Sequence, residues 1–415
     1  MKFLHCADVH LDSPMRGLAR YEGAPVERLR GATRRALERL VELAIAEGVA
    51  FVVIAGDLYD GERDDFQTAM FLQRQLHLLR EAGIPVVIAY GNHDAANEIT
   101  RRLALPQGVH ALPHDRPGTV ELPQAGAVLH GRSYASRAVF DDLSRDYPAP
   151  VDGLLNVGVL HTSLDGRPGH DPYAPCTVEG LARRGYAYWA LGHVHQREHL
   201  QRDGVHVVFP GNVQGRDVGE TGSKGATLVE YRPGEVLSVA HRDLAPVRWT
   251  LLEVEVPGAA SVDEALEGAV AALAALQQSS PAELNAVRVA LAASPEVRSA
   301  WLRQPERYEA QLRADAAGHD ETLWLERIEL RPAARPVGEE PGEALRAVRQ
   351  ALDALRADPA RRGAVTSLLA GLRSRFGPEL PEVVRLGAAG LDEASAAPLL
   401  DEVEALLVAE LGGEP

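Results

Sequence analysis

Cysteine is nearly absent from this chain: Cys6 and Cys176 are the only two. Two thiols indicate neither a disulfide framework nor a thiolate metal site. Cys6, in the first strand-like run, reads as a small core residue. Lysine is as scarce, with only Lys2 and Lys224, so nearly every cation is arginine. Arginine favours bidentate phosphate contacts, although genome composition explains such a bias equally well. Positive charge is in deficit, with 43 Lys and Arg against 59 acids and a formal net charge of -16. That argues against a chain wrapped broadly in nucleic acid by its own field. It leaves room for one that borrows charge from bound cations or grip from a partner. Long apolar runs are missing too. No 18-residue stretch reads as a membrane span, and the Ala-rich run around 268–276 is too short. The opening MKFLHCADVH reads as a strand, without the longer apolar run of a signal peptide. The expected compartment is the cytoplasm.

What remains is an ordinary globular composition, 46% hydrophobic and 25% charged over 415 residues. That length suits two or three domains with a large core. Residues 251–415 hold 28 acids against 16 bases, so the first 250 carry only -4 of the formal charge. Residues 3–7 read as a strand ending at Asp8, and 28–48 as a helix with Leu37, Leu40, Val41 and Ala44 in one apolar stripe. VAFVVIAGD is an unbroken apolar strand of the type buried on both faces. A second amphipathic helix is expected over 64–82, and IPVVIAYGNHD is another buried strand. This alternation predicts layered α/β architecture. AVLHG, LLNVGVLHTS, YAYWALGHVH, HVVFPGN and GATLVEYRP continue the strands to about residue 250, with a short helix at 176–185. An α/β sandwich with two sheets is the expected result.

A different unit follows. LLEVEVPG, ELNAVRVALAA and LWLERIELRP, separated by helical stretches at 262–277 and 298–314, predict a small α+β domain over 251–331. RPAARPVGEEPG is a Pro/Gly/charge linker that ends at 342. Helices are expected over 343–357, 363–375 and 392–411, making 343–415 a helical C-terminal region. Its apolar positions, Leu345, Val348 and Leu352, then Leu368, Leu369 and Leu372, serve either to fold back on the chain or to dock on a partner.

Four short clusters carry the chemistry: DVH at 8–10, GDLYD at 56–60, GNHD at 91–94 and GHVH at 192–195, with His161 alone in VLHTS. A lone histidine is more often structural, and a lone strand-end aspartate bonds to backbone. Most of these clusters, however, follow strand-like runs. Oxygen and imidazole donors gathered on strand ends can hold two divalent ions, and such a pair hydrolyses phosphate esters. Neighbouring cations repel, and a shared carboxylate offsets that repulsion; Asp57 is the expected bridge. Asp8 and His10, two apart, fall on one side of an extended backbone. His193 and His195 repeat that spacing and serve opposite ions if the loop turns between them. Asn92 adds a neutral oxygen. The expected sets are Asp8, His10, Asp57 and His195 on one ion, and Asp57, Asn92, His161 and His193 on the other. Gly56, Gly91 and Gly192 leave room for tight turns into the site. His93 sits beside a ligand without being one, and is expected to steady the transition state or protonate the leaving oxygen. Asp94 either orients His93 or bonds to a loop or helix end. Nitrogen and oxygen donors without thiolate fit Mn, Fe or Zn better than the all-oxygen sites of Ca or Mg.

In this order the motifs resemble the calcineurin-like metallophosphoesterase superfamily over about residues 1–250. FLHCADVHLDSP, YAPCTVEGLARRGYAYWALGHVHQRE and PGNVQGRDVGETGSKGA are similar to the Mre11/SbcD branch of DNA repair exonucleases, and most of all to a bacterial YhaO-like subgroup. The resemblance implies a four-layer α/β/β/α sandwich followed by a cap domain, two Mn ions, and cleavage of DNA phosphodiesters. It places metal ligation on Asp8, His10, Asp57, Asn92, His161, His193 and His195, and the phosphate-facing role on His93. It implies DNA as a partner, a homodimer, and a separate SMC-like (Rad50-like) ATPase subunit, since this chain has no GxxxxGK[ST] motif. Asp60 stands where archaeal and eukaryotic relatives carry a histidine and bacterial relatives an aspartate.

Two functions stay open on the residues alone. One is a Mn-dependent DNA exo/endonuclease of repair; the other is a metallophosphoesterase for a small phosphodiester or phosphomonoester. An open groove walled by arginine favours the first, a closed pocket the second. A structural subunit with an idle site is disfavoured, because every expected ligand is a suitable residue. Arg216, in PGNVQGR, is the foremost candidate for a DNA backbone contact, with an ordinary salt bridge as the alternative.

Overall fold

The computed structural model describes residues 1–14, 23–60, 66–95, 105–166, 171–317, 322–333 and 343–358, with only the backbone for 343–349. Its contacts divide it into two compact units, Met1–Thr250 with Pro281–Ala286, and Leu251–Ser280 with the described residues from Val287 onward.

The first unit begins with β1 (Lys2–Cys6), α1 (Val26–Ala46), β2 (Val52–Ala55), α2 (Phe66–Glu81), β3 (Val86–Ala89), α3 (Asn92–Ala95) and β4 (Val109–Ala111). It continues through β5 (Gly118–Leu122), β6 (Ala127–Gly131), β7 (Leu155–His161), α4 (Val178–Ala182) and β8 (Tyr188–Gly192). The last strands of the two sheets are β9 (Glu198–Arg202), β10 (Val205–Phe209), β11 (Gly225–Arg232) and β12 (Glu235–Asp243). One six-stranded sheet has the order β12-β11-β1-β2-β3-β4, the other β5-β6-β7-β8-β10-β9.

The layering follows from β2, which is buried on both faces as its unbroken apolar run predicts. Side chains alternate along a strand. Val52 and Ile54 therefore join Leu37, Leu40, Leu72 and Leu76 of α1 and α2. Phe51, Val53 and Ala55 join Leu129, Val157, Val159 and Ala190 of the second sheet. The far side of that sheet packs Leu160, Trp189 and Leu191 against Leu181 and Tyr147. Helix, sheet, sheet and helix layers result. Between the sheets Phe3 stacks on Phe51 at 4.8 Å and meets Tyr188 edge-on at 5.2 Å. Cys6 and Cys176 are both buried and free.

Four strands of these sheets, β4, β5, β9 and β12, are not expected from the sequence pattern, and they are the four edge strands. An edge strand is held by backbone pairing and faces water more, so its apolar alternation is weak. β9, Glu-His-Leu-Gln-Arg, has no buried residue at all.

His5 lies between the sheets, fully buried. Tyr188 Oη lies 3.0 Å from its Nδ1 and the Leu191 carbonyl 3.2 Å from its Nε2. These bonds satisfy a neutral ring whose Nε2–H donates to the carbonyl. Burial lowers its pKa from 6.5 to about 3. The folded value lies below the unfolded one, so the stability this ring contributes is complete above pH 6.5 and is lost as pH falls below it. Between pH 6.5 and 5 the loss is about 2 kcal/mol. Urea unfolding at pH 7 and pH 5 should show wild type losing about that much more than His5→Gln; parallel losses would remove His5 as the cause.

A three-stranded sheet has the order β13-β14-β15, with β13 (Val247–Val256), β14 (Leu284–Ala293) and β15 (Leu323–Pro332); it lies in the second unit except for 247–250 and 284–286, which belong to the first. Helices α5 (Val262–Ser279), α6 (Pro295–Arg303) and α7 (Pro305–Ala317) come between the strands, and α8 (Glu343–Ala357) follows them. The single helix expected over 298–314 is two. Pro305 cannot donate to the preceding turn and pushes Gln304 out of helical geometry, to φ -144°. Ser261 and Ser294 cap α5 and α6 by accepting from Glu264 N and Val297 N. The helices expected over 363–375 and 392–411, with Leu368, Leu369 and Leu372, lie outside the described residues, as does most of the linker. Leu345 and Val348 fall where only the backbone is described.

Candidate metal centre

Parallel pairing brings the ligands together. β1, β2 and β3 run parallel, so their carboxyl ends share one edge of the first sheet. Asp8, Asp57 and Asn92 follow those ends. β7 and β8 are parallel in the second sheet and end at His161 and just before His193. His161 Nδ1–H donates to the Ala55 carbonyl at 3.0 Å, tying the two edges.

The convergence of Asp8 and His10 does not come from extended backbone, as their spacing predicted. β1 stops at Cys6, and the ligand loops turn through left-handed conformations: Asp8 at φ 50°, His10 at 43°, Asp57 at 50° and His193 at 98°. Such backbone is costly for non-glycine residues and concentrates at functional sites. Bonds from Asp8 N to Gly56 O and from His10 N to Asp57 O, each 3.0 Å, hold it in place. Gly56 itself is at φ 97°, where a Cβ would run into the His161 ring. At Gly91 a Cβ would sit 2.8 Å from His161 Cε1 and 2.9 Å from Asp57 N.

Three trios form, Asp8 with His10 and His195, Asp57 with His161 and His193, and His10 with Asp60 and His93, each with donor atoms within 4.8 Å of one another; the first two hold the expected ligands. Asp57 Oδ2 lies 3.4 Å from His161 Nε2 and 3.8 Å from His10 Nε2, so it stands between those two. Asn92 Oδ1 is 2.9 Å from His161 Nε2. His193 N donates to both oxygens of Asp8 at 3.0 and 3.1 Å, and its Nε2 faces the Asp171 carbonyl at 2.9 Å. All seven residues expected as ligands are thus in one place.

The donor set fits divalent cations better than it fits itself. His10 Nε2 and His195 Nε2 face each other at 3.1 Å. Glu220 Oε1 lies 2.6 Å from His195 Nδ1, on the side of the ring away from His10. His10 Nδ1 is buried, with Asp60 Oδ1 no nearer than 3.5 Å and no well-formed hydrogen bond, and burial lowers the pKa of its ring to about 4, against the pull of Asp60. A buried His10 ring that resists protonation, beside the buried carboxylates of Asp8 and Asp57, suits a divalent cation as its partner. Burial pushes Asp57 up, but His161, His10 and His93 together hold it well below the usual carboxylate range. Against burial, Asp57 and Asp8 raise His161 to about 9. A cation bound at His161 must displace that proton, so binding should strengthen as pH rises.

His93 is outside the two trios that Asp57 stands between, and belongs to the third, with His10 and Asp60. Its ring is 32% exposed, with Nε2 4.0 Å from Asp57 Oδ2. Its Nδ1 is 3.2 Å from Asp60 Oδ1, and Asp60 Oδ2 accepts from Ser13 Oγ at 2.7 Å. Burial opposes protonation of His93, yet Asp60 and Asp57 raise its pKa overall. Asp94 takes the loop-bonding alternative. Its Oδ1 accepts from Leu58 N and Tyr59 N at 2.9 and 3.0 Å, and its Oδ2 from Gly91 N at 2.9 Å, lacing the Asp57 loop to the Asn92 loop. The carboxylate nearest the His93 ring is therefore Asp60, which in the sequence stands out only as a departure from archaeal and eukaryotic relatives.

For Arg216 the salt bridge is realised, with Nη2 2.8 Å from Glu220 Oε1. Glu220 does not stand out in the sequence, since it lies 25 positions beyond His195. Its one local signal is the four-residue spacing to Arg216.

A family model described as calcineurin-like phosphoesterase matches residues 1–208, and one described as metallophosphoesterase YhaO, middle domain, matches 249–332. The chain is 34% identical over 259 residues to the uncharacterized metallophosphoesterase YhaO of Bacillus subtilis (strain 168), covering 62% of this chain and 63% of that one. It is 27% identical over 237 residues to the DNA double-strand break repair protein Mre11 of Haloferax volcanii, covering 56% of this chain and 50% of that one. A shorter stretch of 100 residues is 29% identical to a subunit of the nuclease SbcCD of Staphylococcus saprophyticus, 24% of either chain. The match thus spans less than two thirds of each relative.

Proposed function

Since the chain belongs to the calcineurin-like phosphoesterase family of metal-dependent hydrolases, we propose that it is a Mn-dependent DNA exo/endonuclease acting in repair. The observation that carries this reading is Asp57 Oδ2 standing between two ligand trios, with the part-exposed His93 beside it. Similarity to a double-strand break repair protein and to part of a nuclease supports DNA as the substrate.

Two divalent ions held by those residues would polarise the phosphoryl oxygens and activate a water for in-line attack. The chain's own groups do the rest. Asp57 keeps both ligand sets in register. Asn92 contributes an oxygen without further negative charge. His93, fixed through Nδ1 by Asp60, presents Nε2 to the leaving oxygen as a proton donor. Imidazole and carboxylate donors together favour Mn, with Fe and Zn as alternatives.

The reading extends to partners. With a net charge of -16 the protein relies on bound cations and a second subunit for its hold on DNA. That subunit is a separate SMC-like ATPase, with residues 343–415 as a docking region, 251–331 as the cap and a homodimer as the working form. The cytoplasm is the proposed compartment, and no helix among the described residues is long and apolar enough to cross a membrane.

The test is purified protein with Mn on labelled linear duplex, hairpin and single-stranded DNA, beside bis(4-nitrophenyl) phosphate. Cleavage of DNA is expected. Hydrolysis of the small ester alone would replace this reading with that of a small-phosphoester hydrolase.

A further inference from the structure

We propose that Glu220 is a positioning residue that selects the His195 tautomer able to bind one of the two ions. This rests on His195 being a ligand, as in the proposed function.

The geometry is built around one carboxylate. Glu220 Oε1 accepts the Nδ1 proton of His195 at 2.6 Å, and Nε2 is aimed at the gap beside His10 and Asp8. Arg216 Nη2 donates to the same oxygen at 2.8 Å and lies 3.2 Å from His195 Nδ1. Guanidinium and imidazole are therefore two donors side by side on one acceptor. A carboxylate oxygen can only accept, so at 2.6 Å the Nδ1 proton points at Glu220. The other oxygen, Oε2, accepts from Arg216 N and from Asn212 Nδ2, each at 2.8 Å. Both oxygens are thus occupied and the carboxylate cannot rotate away. Lys224 Nζ adds a bond to the His195 carbonyl at 2.8 Å. The segment from Asn212 to Lys224 cradles His195 from behind, and each contact fixes either its backbone or its ring.

A carboxylate behind a ligating histidine sets ring orientation and raises basicity, and losing one typically lowers metal affinity about 10–100-fold. The predicted loss is confined to one ion, because the bonds of Glu220 run to His195, Arg216 and Asn212 and to none of Asp57, Asn92, His161 and His193.

Mn binding to wild type, Glu220→Ala and Glu220→Gln, measured by calorimetry and by the resonance of free Mn, tests this. The expected result is two ions on wild type. On Glu220→Ala one should keep wild-type affinity and the other should weaken about 10–100-fold, with Glu220→Gln between. Imidazole nitrogen resonances of the metal-free protein should show His195 moving from one tautomer to a mixture in Glu220→Ala. A merely structural role would not move that signal while leaving the metal-free melting curve in place. Two ions bound at wild-type affinity in both variants would overturn the proposal while leaving the metal centre standing. A wild type that binds no pair would instead sink the proposed function, and this inference with it. Should Glu220→Ala fail to fold, Glu220→Gln carries the same comparison.

Discussion

Asp57→Ala is expected to abolish hydrolysis, with turnover falling by more than about 100-fold, since even the loss of a partner behind a ligand costs about 10–100-fold. The reason is position. Asp57 is almost wholly buried, and its Oδ2 is within 4.0 Å of an imidazole nitrogen of each of His10, His93 and His161. Without it, two cations held by the remaining residues face each other with no anion between them, and the repulsion ejects one. Asp57→Asn separates charge from shape, since an amide oxygen can still accept from His93 N as Oδ1 does at 3.0 Å. Both variants should lose Mn, measured on the same samples as turnover of bis(4-nitrophenyl) phosphate. His161 offers a second readout. Burial alone depresses it, and Asp57 is the foremost group raising it to about 9. Its titration in the metal-free protein should therefore move down in either variant. Wild-type turnover with Mn in Asp57→Ala would contradict the bridge.

His93→Ala should keep both ions and lose most of the rate, about 10²- to 10⁴-fold, the usual contribution of a positioned acid or base. The ring is outside the two trios that Asp57 stands between, although it forms a third with His10 and Asp60, and it stands over Asp57 and beside His10, at 4.8 Å between ring centres. Asp60 and Asp57 favour its charged form, which is the form with a proton to give. A nitrophenolate departs with little help, whereas the sugar oxygen of DNA needs a proton. The variant should therefore lose less on bis(4-nitrophenyl) phosphate than on DNA. Equal losses on the two would leave His93 as a transition-state contact only. Unchanged turnover on DNA, at full Mn content, would remove it from the mechanism.

How much of this was legible depends on which force places each group. The central strands were readable because burial on both faces demands an unbroken apolar run, as in residues 51–55. Edge strands such as β9 are held by backbone bonds, which any side chain permits. The ligands were readable for a related reason. An aspartate, asparagine or histidine within a few residues of the end of an apolar strand has a chemical role to explain, and all seven such choices meet in one centre. Their supports were not. Asp94, next to His93 in the chain, bonds to three backbone N–H groups instead, while Asp60 reaches the ring.

By itself the sequence determined which donors are available and that they lie at strand ends, because residue identity and apolar pattern are local properties. Only the tertiary structure decided how they converge. Left-handed turns at Asp8, His10, Asp57 and His193 take the place of the extended geometry that their spacing suggested. The pairing of His195 with His10, 185 positions apart, and of Glu220 with His195 comes from strand order and loop packing. No periodicity along the chain encodes such contacts, because the free energy that creates them arises only when distant segments exclude water together.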